Sequence, residues 1–145
     1  MDSMQIETII RTSKWSKLFR GCFPADKIPD VNTYPAALIV NEDPSTERGT
    51  HWVAIFITIP DHVYYFDSFG FPPNKYISHY LSKFKFLTLN HHTFQSMLSN
   101  ACAHYCIFFL SLMSQSYSYK TILKILSNQQ NSDVYVKYYV SKCIR

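Results

Sequence analysis

The stretch HWVAIFITIPDHVYYFD, residues 51–67, decides the fold. Trp52 to Ile59 and His62 to Phe66 are both rich in valine, isoleucine and aromatic residues, and a Pro-Asp dipeptide separates them. Such residues favour strands and Pro-Asp favours a turn, so this stretch predicts an antiparallel hairpin. His51 and Asp67 then lie together at the open end of the hairpin, opposite its turn.

Shorter patterns on either side of the hairpin predict further elements. The expected additional strands are Ala36 to Val40 and Phe84 to Leu89. Apolar spacing predicts four helices: Ile6 to Phe19, which would stop at Gly21, Asn74 to Phe84, Ala101 to Met113 and Tyr119 to Leu126. Polar or proline-containing loops are expected at Cys22 to Tyr34, Asn41 to Thr50 and Ser68 to Pro73, and Asp133 to Tyr139 fits either a helix or a strand.

The composition indicates one globular α+β domain. The chain has 145 residues, the length of a single domain, and no repeat, linker or low-complexity tract divides residues 1–145. Hydrophobic residues make up 47% of the chain and charged residues 17%, which excludes a disordered chain. Aromatic residues reach 17%, and their preference for strands favours an α+β core over a helical bundle.

Charge and apolar patterning exclude several classes of protein. The formal net charge is +4, but lysine and arginine are scattered, so weak DNA contact is allowed while nucleic-acid binding is not expected as the main role. Met1 to Thr12 lacks the apolar segment of a signal peptide, and the longest apolar run, Ile107 to Met113, is too short for a membrane span. We therefore expect a soluble, intracellular protein that is not secreted and whose cysteines stay reduced.

Cys102 is the thiol whose surroundings fit a nucleophile. A thiol attacks a carbonyl carbon as the thiolate, and a helix N-terminus or a nearby cation favours that anion. Cys102 opens a predicted helix behind Ser99-Asn100, residue types that commonly cap helices. Cys106, one turn further in among aromatic and aliphatic neighbours, is expected to be inert.

Three further residues turn this cysteine into a candidate site. His51 can act as general base and Asp67 as the carboxylate that orients its ring, in the chain order His, Asp, Cys. Gln95, seven residues before Cys102, can supply an amide donor to a tetrahedral oxyanion beside the backbone N–H of Cys102. Each residue alone has an ordinary structural interpretation, and the prediction rests on their combination.

Three blocks of sequence resemble the adenain family of viral maturation cysteine proteases. They are GTHWV (Gly49 to Val53), YYFDSFGF (Tyr64 to Phe71) and QSMLSNACAHYCIFFL (Gln95 to Leu110). The four candidate residues match the family's functional positions in order. The resemblance runs from about Phe19 to Met113. The family also has relatives in virophages and self-synthesising transposons.

The resemblance implies an α+β fold with a mixed central β-sheet flanked by helices, of the adenain or ubiquitin-like-modifier protease type. It implies a cysteine endopeptidase of viral or virus-like origin that cleaves capsid and core precursors after glycine, in the nucleus or virus factory of the host and in the virion. We expect Trp52, beside the base, to wall a groove that admits glycine and excludes side chains. We expect a monomer that needs no metal or other cofactor, and activation by DNA or by a viral peptide stays open.

Several positions depart from the family. Ala103 stands where a glycine normally follows the nucleophile, and its methyl group would tighten the oxyanion pocket. No cysteine occurs in Phe84 to Leu89, so the disulfide-linked activating peptide of adenain is not expected. Asp67 replaces the adenovirus glutamate, which is a mild change. Residues beyond Met113 do not align with the family, and the role of residues 114–145 stays open.

Three alternative functions remain. A protease that removes ubiquitin-like modifiers would use identical chemistry at a Gly-Gly carboxyl end. A catalytically inactive relative could serve as a binding protein. A zinc module is disfavoured, because Cys-x3-Cys is not a zinc knuckle and adjacent histidines in a strand point in opposite directions; its ligands would come from Cys102, Cys106, His91, His92 and His104.

Overall fold

The computed structural model describes residues 1–45 and 51–143, and within them five strands form one mixed sheet. The parallel pairs are β1 with β2 and β4 with β5, and the two inner pairs are antiparallel. The hairpin of β3 and β4 has the predicted bounds. In sheet order the strands are β1 (Phe19–Pro24), β2 (Ala36–Asn41), β3 (Trp52–Ile59), β4 (His62–Phe66) and β5 (Phe86–Leu89).

Helices pack on both faces of this sheet, so the α+β class and the helix-flanked mixed sheet are confirmed. The second, third and fourth helices agree with the predictions to within a few residues at their ends. The segment that fitted either helix or strand, Asp133 to Tyr139, belongs to the last helix. The helices are α1 (Ser3–Arg11), α2 (Lys75–Leu81), α3 (Cys102–Ser114), α4 (Tyr119–Ser127) and α5 (Ser132–Cys143).

Successive residues of β2 and β3 contribute to two different hydrophobic cores. Side chains along a strand alternate between the faces of its sheet, and here both faces are covered, which explains the nearly continuous apolar sequence of these strands. Ala37, Ile39, Ala54 and Phe56 join the core that contains α1, α3, α4 and α5. Leu38, Val40, Val53, Ile55 and Ile57 join the core that α2 closes.

Helix α3 lies between the sheet and α5, and nearly all of its residues are buried. Phe109 stacks on Phe66 of β4 with ring centroids 4.8 Å apart. On the opposite side, Phe108 meets Tyr139 of α5 edge to face at 5.0 Å. These aromatic contacts fix the position of α3, and therefore of its first residue Cys102, relative to the hairpin.

The N-terminal helix differs from the prediction at both ends. It begins before Ile6, because Asp2 and Gln5 form a reciprocal capping box with two hydrogen bonds of 2.9 Å. It ends at Arg11, where the hydroxyls of Thr12 and Ser13 donate to carbonyls of the last turn. Hydroxyl groups near a helix end form hydrogen bonds with backbone carbonyls and so favour the end of the helix. The prediction used only the spacing of apolar residues and therefore placed the end too late.

Strand β1 occupies residues predicted as a helix end and a loop, and that prediction is wrong. Gly21 does not follow a helix; it lies inside β1 with φ of +129°, where the pairing with β2 is irregular. The loop predicted from Cys22 therefore starts only after Pro24. A proline is tolerated at an edge strand because its missing N–H need not break a ladder bond.

Part of the predicted loop from Asn41 to Thr50 lies outside the described residues, which omit 46–50 and with them Gly49 and Thr50 of the GTHWV block. Asn41 itself ends β2. Among the described residues, no helix has the length and apolar character needed to cross a membrane.

Candidate active site

The open end of the hairpin brings His51 and Asp67 into direct contact. His51 immediately precedes β3 and Asp67 immediately follows β4. His51 Nε2 lies 2.7 Å from Asp67 Oδ1, and both side chains are buried. A charge-assisted hydrogen bond of this length fixes the orientation of the imidazole and leaves its other nitrogen, Nδ1, for a second partner.

Asn90, which the sequence analysis did not select, holds the backbone of Asp67. The Asp67 N–H donates to Asn90 Oδ1 at 3.0 Å, and Asn90 Nδ2 donates back to the Asp67 carbonyl at 2.6 Å. The Tyr119 hydroxyl adds a longer bond to Asn90 Oδ1 at 3.3 Å. Asn90 directly follows β5, so its place beside Asp67 could have been inferred from the parallel pairing of β4 and β5.

A tight turn from Asp67 to Gly70 completes the setting of the carboxylate. The Phe69 N–H donates to Asp67 Oδ1 at 2.9 Å, and the Gly70 N–H donates to the Asp67 carbonyl at 2.9 Å. Gly70 has φ of +73°, and a Cβ there would lie 2.5 Å from the His91 carbonyl oxygen. Only glycine fits this turn without displacing the backbone behind it.

Cys102 reaches the same place from the helical layer. It is the first residue of α3, and its N-cap residue Ala101 provides no side-chain cap, so the first N–H groups of the helix remain available to an anion. The predicted capping residue Ser99 instead accepts a bond from the Ala101 N–H at 3.1 Å. The Cys102 sulfur lies within hydrogen-bonding reach of the His51 side chain and of the backbone N–H groups of Trp52 and Ala103.

These contacts shift two pKa values in opposite directions. Burial by itself would raise the pKa of Cys102, but the hydrogen bonds from His51, Trp52 and Ala103 outweigh it, and the pKa is lowered from 9.0. Burial would likewise lower the pKa of His51, but its bonds to Asp67 and Cys102 raise it from 6.5 to about 10. Both shifts favour the charged forms, so the site stabilises a thiolate–imidazolium pair.

This charge pair predicts an unusual pH dependence for alkylation by iodoacetamide. The lowered pKa means that Cys102 is already thiolate below the pH at which ordinary thiols ionise, so it should react at neutral pH. Cys143, whose pKa burial raises, should react only at alkaline pH. Mass-spectrometric peptide mapping at a series of pH values would measure both profiles. A Cys102 profile that coincides with that of the urea-unfolded chain would contradict the pair.

Gln95 is buried next to the segment that leads into α3. Its Oε1 accepts a 2.5 Å bond from the Ser68 hydroxyl, which fixes the orientation of the amide. Its Nε2 donates to the carbonyl of Ser99 at 2.9 Å, three residues before Cys102. An amide nitrogen carries two N–H groups, and the second is the donor that an oxyanion would need.

Trp52 is half-buried and lines a cavity of about 650 Å³. Its indole Nε1 donates to the Met1 carbonyl at 3.1 Å, and its ring packs partly against the main core. The cavity also includes Cys22, Asn41 and the first residues of the chain. Trp52 therefore combines core packing with a position on the wall of a cavity, and its role in substrate binding stays a prediction.

Ala103 and Cys106 both face the protein interior. Ala103 is fully buried within the main core, so its methyl group packs against that core, while its backbone N–H reaches the Cys102 sulfur. Burial raises the pKa of Cys106 well above 9.0, in agreement with an inert thiol. The expected effect of the Ala103 methyl group on the oxyanion pocket stays a prediction.

The described residues bring together one group with the chemistry of a metal site. Potential ligand atoms of Glu42, His51 and Asp67 lie within 4.8 Å of one another. His51 Nε2 and Asp67 Oδ1 already bond to each other, so an ion would have to displace that hydrogen bond. The zinc ligands considered in the sequence analysis, Cys102, Cys106, His91, His92 and His104, do not form such a group in this part of the chain.

Glu42 is a further carboxylate beside the site that the sequence analysis did not select. It is half-buried directly after β2, and its N–H donates to the His51 carbonyl at 3.0 Å. Burial, together with the nearby negative charge of Asp67, raises the pKa of Glu42, although His51 opposes that shift. Its position follows from the pairing of β2 with β3, which places the residue after β2 next to the residue before β3.

With this geometry in place, the fold can be compared with known structures: its helix-flanked mixed sheet matches the fold of a viral protease of the ubiquitin-like-modifier protease type. The crystal structure of the ASFV pS273R protease superposes with a TM-score of 0.67 at 16% sequence identity. The match covers 99% of this chain and 67% of that one.

A protein with a similar sequence is also named as a protease. A 60-residue segment is 42% identical to a protein named as a thiol protease, R355 of Acanthamoeba polyphaga mimivirus. The segment is 41% of this chain and only 20% of the mimivirus protein. No protein-family model matches the chain. The chain is thus similar to one viral protein named as a thiol protease and to one named as a protease, while the more specific resemblance to adenain stays a prediction.

Proposed function

We propose that this chain is a cysteine endopeptidase of viral origin that cleaves precursor proteins after glycine. The observation that carries the proposal is the buried chain of contacts from Cys102 through His51 to Asp67, in which the 2.7 Å bond orients the base and the thiol has a lowered pKa. The likeness to two viral proteins named as proteases supports it.

In the proposed mechanism the thiolate of Cys102 attacks the carbonyl carbon of the scissile peptide bond, and the carbonyl electrons move onto the oxygen. His51, holding the proton taken from the thiol, gives it to the amide nitrogen as the C–N bond breaks and the amine leaves. A water molecule then attacks the thioester with His51 as base, which releases the acid and restores the thiol. Asp67 keeps the imidazole oriented throughout and stabilises its positive charge.

The negative charge on the substrate oxygen needs donors that are already in place. The backbone N–H of Cys102 lies at the uncapped start of α3, and the amide of Gln95 is fixed by Ser68 and Ser99 nearby. Donors that are held rigid before the reaction cost no reorganisation during it. We assign these two groups to the oxyanion hole.

Selectivity for glycine is assigned to Trp52. Trp52 directly follows His51 in the chain and lines a cavity, and in this proposal its indole excludes a side chain on the residue before the scissile bond. Trp52→Ala should therefore reduce the preference for Gly over Ala at that residue about tenfold, whereas Trp52→Phe should retain most of it. Comparison of kcat/KM for paired peptides that differ only at that residue measures the effect. An unchanged ratio in Trp52→Ala would rule out the steric role.

The proposed activity is tested by hydrolysis of a fluorogenic peptide ending in Gly-Gly by the wild-type chain under reducing conditions. Prior treatment with iodoacetamide at neutral pH should abolish hydrolysis in proportion to the Cys102 modification found by peptide mapping. A parallel series with added DNA tests activation. Absence of hydrolysis in every condition, or hydrolysis that survives full modification of Cys102, would refute the proposal.

A further inference from the structure

A second polar cluster lies away from the catalytic contacts, where α5 begins. The Tyr105 hydroxyl of α3 donates to Asp133 Oδ1 at 2.6 Å and lies 2.6 Å from the hydroxyl of Ser132. Tyr105 is fully buried, one turn after Cys102. None of these three side chains contacts the thiol, the imidazole or Asp67 in the bonds described above, so the proposed mechanism gives them no role.

All three side chains converge on the loop that carries Gln95. The Phe94 carbonyl accepts a bond from Ser132 Oγ at 2.9 Å and lies 3.1 Å from the Tyr105 hydroxyl oxygen, whose single proton is directed at Asp133. The Ser96 N–H faces both carboxylate oxygens of Asp133 at 3.4 Å. The peptide units on either side of Gln95 are therefore held by the beginning of α5 and by α3.

The opposite side of the loop is held by the end of the hairpin. The Ser68 carbonyl accepts the N–H groups of Phe94 at 2.8 Å and of Gln95 at 3.1 Å, and the Ser68 hydroxyl bonds to the Gln95 side chain. Ser68 directly follows Asp67. The loop around Gln95 is thus held on one side by the residue after Asp67 and on the other side by α3 and the beginning of α5.

Apolar packing contributes little to holding the rest of this loop. Met97 is 75% exposed and Leu98 fully exposed, so these side chains do not anchor the segment between Gln95 and Cys102. A cavity of about 650 Å³ separates the 92–96 loop from the connection between α4 and α5. Phe94 packs against the main core, and the hydrogen bonds from Ser132 and to Asp133 attach the loop to the beginning of α5 as well.

We propose that Tyr105, Ser132 and Asp133 are positioning residues that set the oxyanion donor Gln95, which makes the first turn of α5 part of the catalytic apparatus. The inference rests on the proposed function, because it assigns these residues to the same site. A displacement of the donor by about 1 Å costs up to about a hundredfold in rate, so loss of these bonds lowers kcat without weakening substrate binding equally. It also gives the C-terminal segment, which the sequence left without a role, a defined one.

The test compares Tyr105→Phe, Ser132→Ala and Asp133→Asn with Gln95→Ala and with the matched control Tyr138→Phe, an exposed tyrosine of α5. The three cluster variants should lower kcat for the Gly-Gly peptide about tenfold to a hundredfold, with KM changed much less. Inhibition by a peptide aldehyde ending in glycinal should weaken by a similar factor, because Cys102 converts the aldehyde to a hemithioacetal whose oxygen needs the same donor. Tyr138→Phe should match the wild type.

A separate readout distinguishes positioning from general damage. Alkylation of Cys102 by iodoacetamide needs the thiolate but no oxyanion hole, so the cluster variants should keep the wild-type alkylation rate at neutral pH. Equal loss of alkylation and hydrolysis, or unchanged hydrolysis in both Tyr105→Phe and Asp133→Asn, would overturn the inference. A wild-type chain that alkylates at Cys102 but hydrolyses no peptide would instead refute the proposed function.

Discussion

Replacing Cys102 by alanine is expected to reduce peptide hydrolysis below detection, a loss of at least about 10⁵-fold. In the proposed mechanism the sulfur forms the covalent bond to the substrate, and the removal of this nucleophile eliminates both the acylation and the thioester that follows it. His51 and Asp67 remain in contact in the variant, but an imidazole without a thiol has no nucleophile to activate. The rate of hydrolysis of the Gly-Gly peptide measures the loss.

Cys143→Ala is the matched control for this substitution. Cys143 is partly buried at the end of α5, and its pKa is raised, so its thiol is not expected to contribute to hydrolysis. The control should retain wild-type kcat/KM. Residual hydrolysis by Cys102→Ala that is sensitive to iodoacetamide would show that a different thiol performs the reaction.

His51→Gln is expected to lower kcat/KM about 1,000-fold, which corresponds to about 4 kcal/mol of transition-state stabilisation. The glutamine amide cannot accept and return a proton at neutral pH. The substitution should also change the thiol itself. The largest influence on the pKa of Cys102 is burial, which raises it, and the bond from His51 is the strongest of the influences that lower it. Without the imidazole the thiol should therefore stay neutral at neutral pH.

Alkylation rates separate these two effects of His51. In His51→Gln the reaction of Cys102 with iodoacetamide should slow at neutral pH and recover only in alkaline solution. His79→Gln, on the exposed surface of α2, should leave both hydrolysis and alkylation as they are in the wild type. Alkylation of His51→Gln at the wild-type rate would mean that the helix N-terminus alone ionises the thiol.

The hairpin and its consequences could be predicted from the sequence because they depend on local patterns. Strand-forming residues on both sides of Pro60-Asp61 define β3 and β4 to the residue, and the meeting of His51 with Asp67 follows from antiparallel pairing alone. The start of α3 near Cys102 was also readable, since the apolar run after it is long. The catalytic roles of these residues stay predictions until the variants are measured.

Features that depend on contacts between residues far apart in the sequence could not be predicted from local patterns. Strand β1 has a weak local pattern and exists because it pairs with β2, so its residues were taken for a helix end and a loop. Nothing in the local sequence distinguishes Asn90 from other polar residues. Its contact with the backbone of Asp67 results from the pairing of β5 with β4. The contacts of Ser132 and Asp133 with the loop around Phe94 join residues nearly forty positions apart, beyond the reach of any periodicity.

The residues of the candidate site are far apart in the sequence, and this affects when the site can form during biosynthesis. The hairpin and the start of α3 are made first, and the first turn of α5 is made last. A ribosome releases His51 and Asp67 well before Cys102, and the residues at the start of α5 follow later still. Contacts between sequence-distant residues form late in folding because they carry a large loop-closure cost. Under the proposed function, the oxyanion donor Gln95 should therefore be held in place only after synthesis has passed residue 133 and α5 has packed against α3.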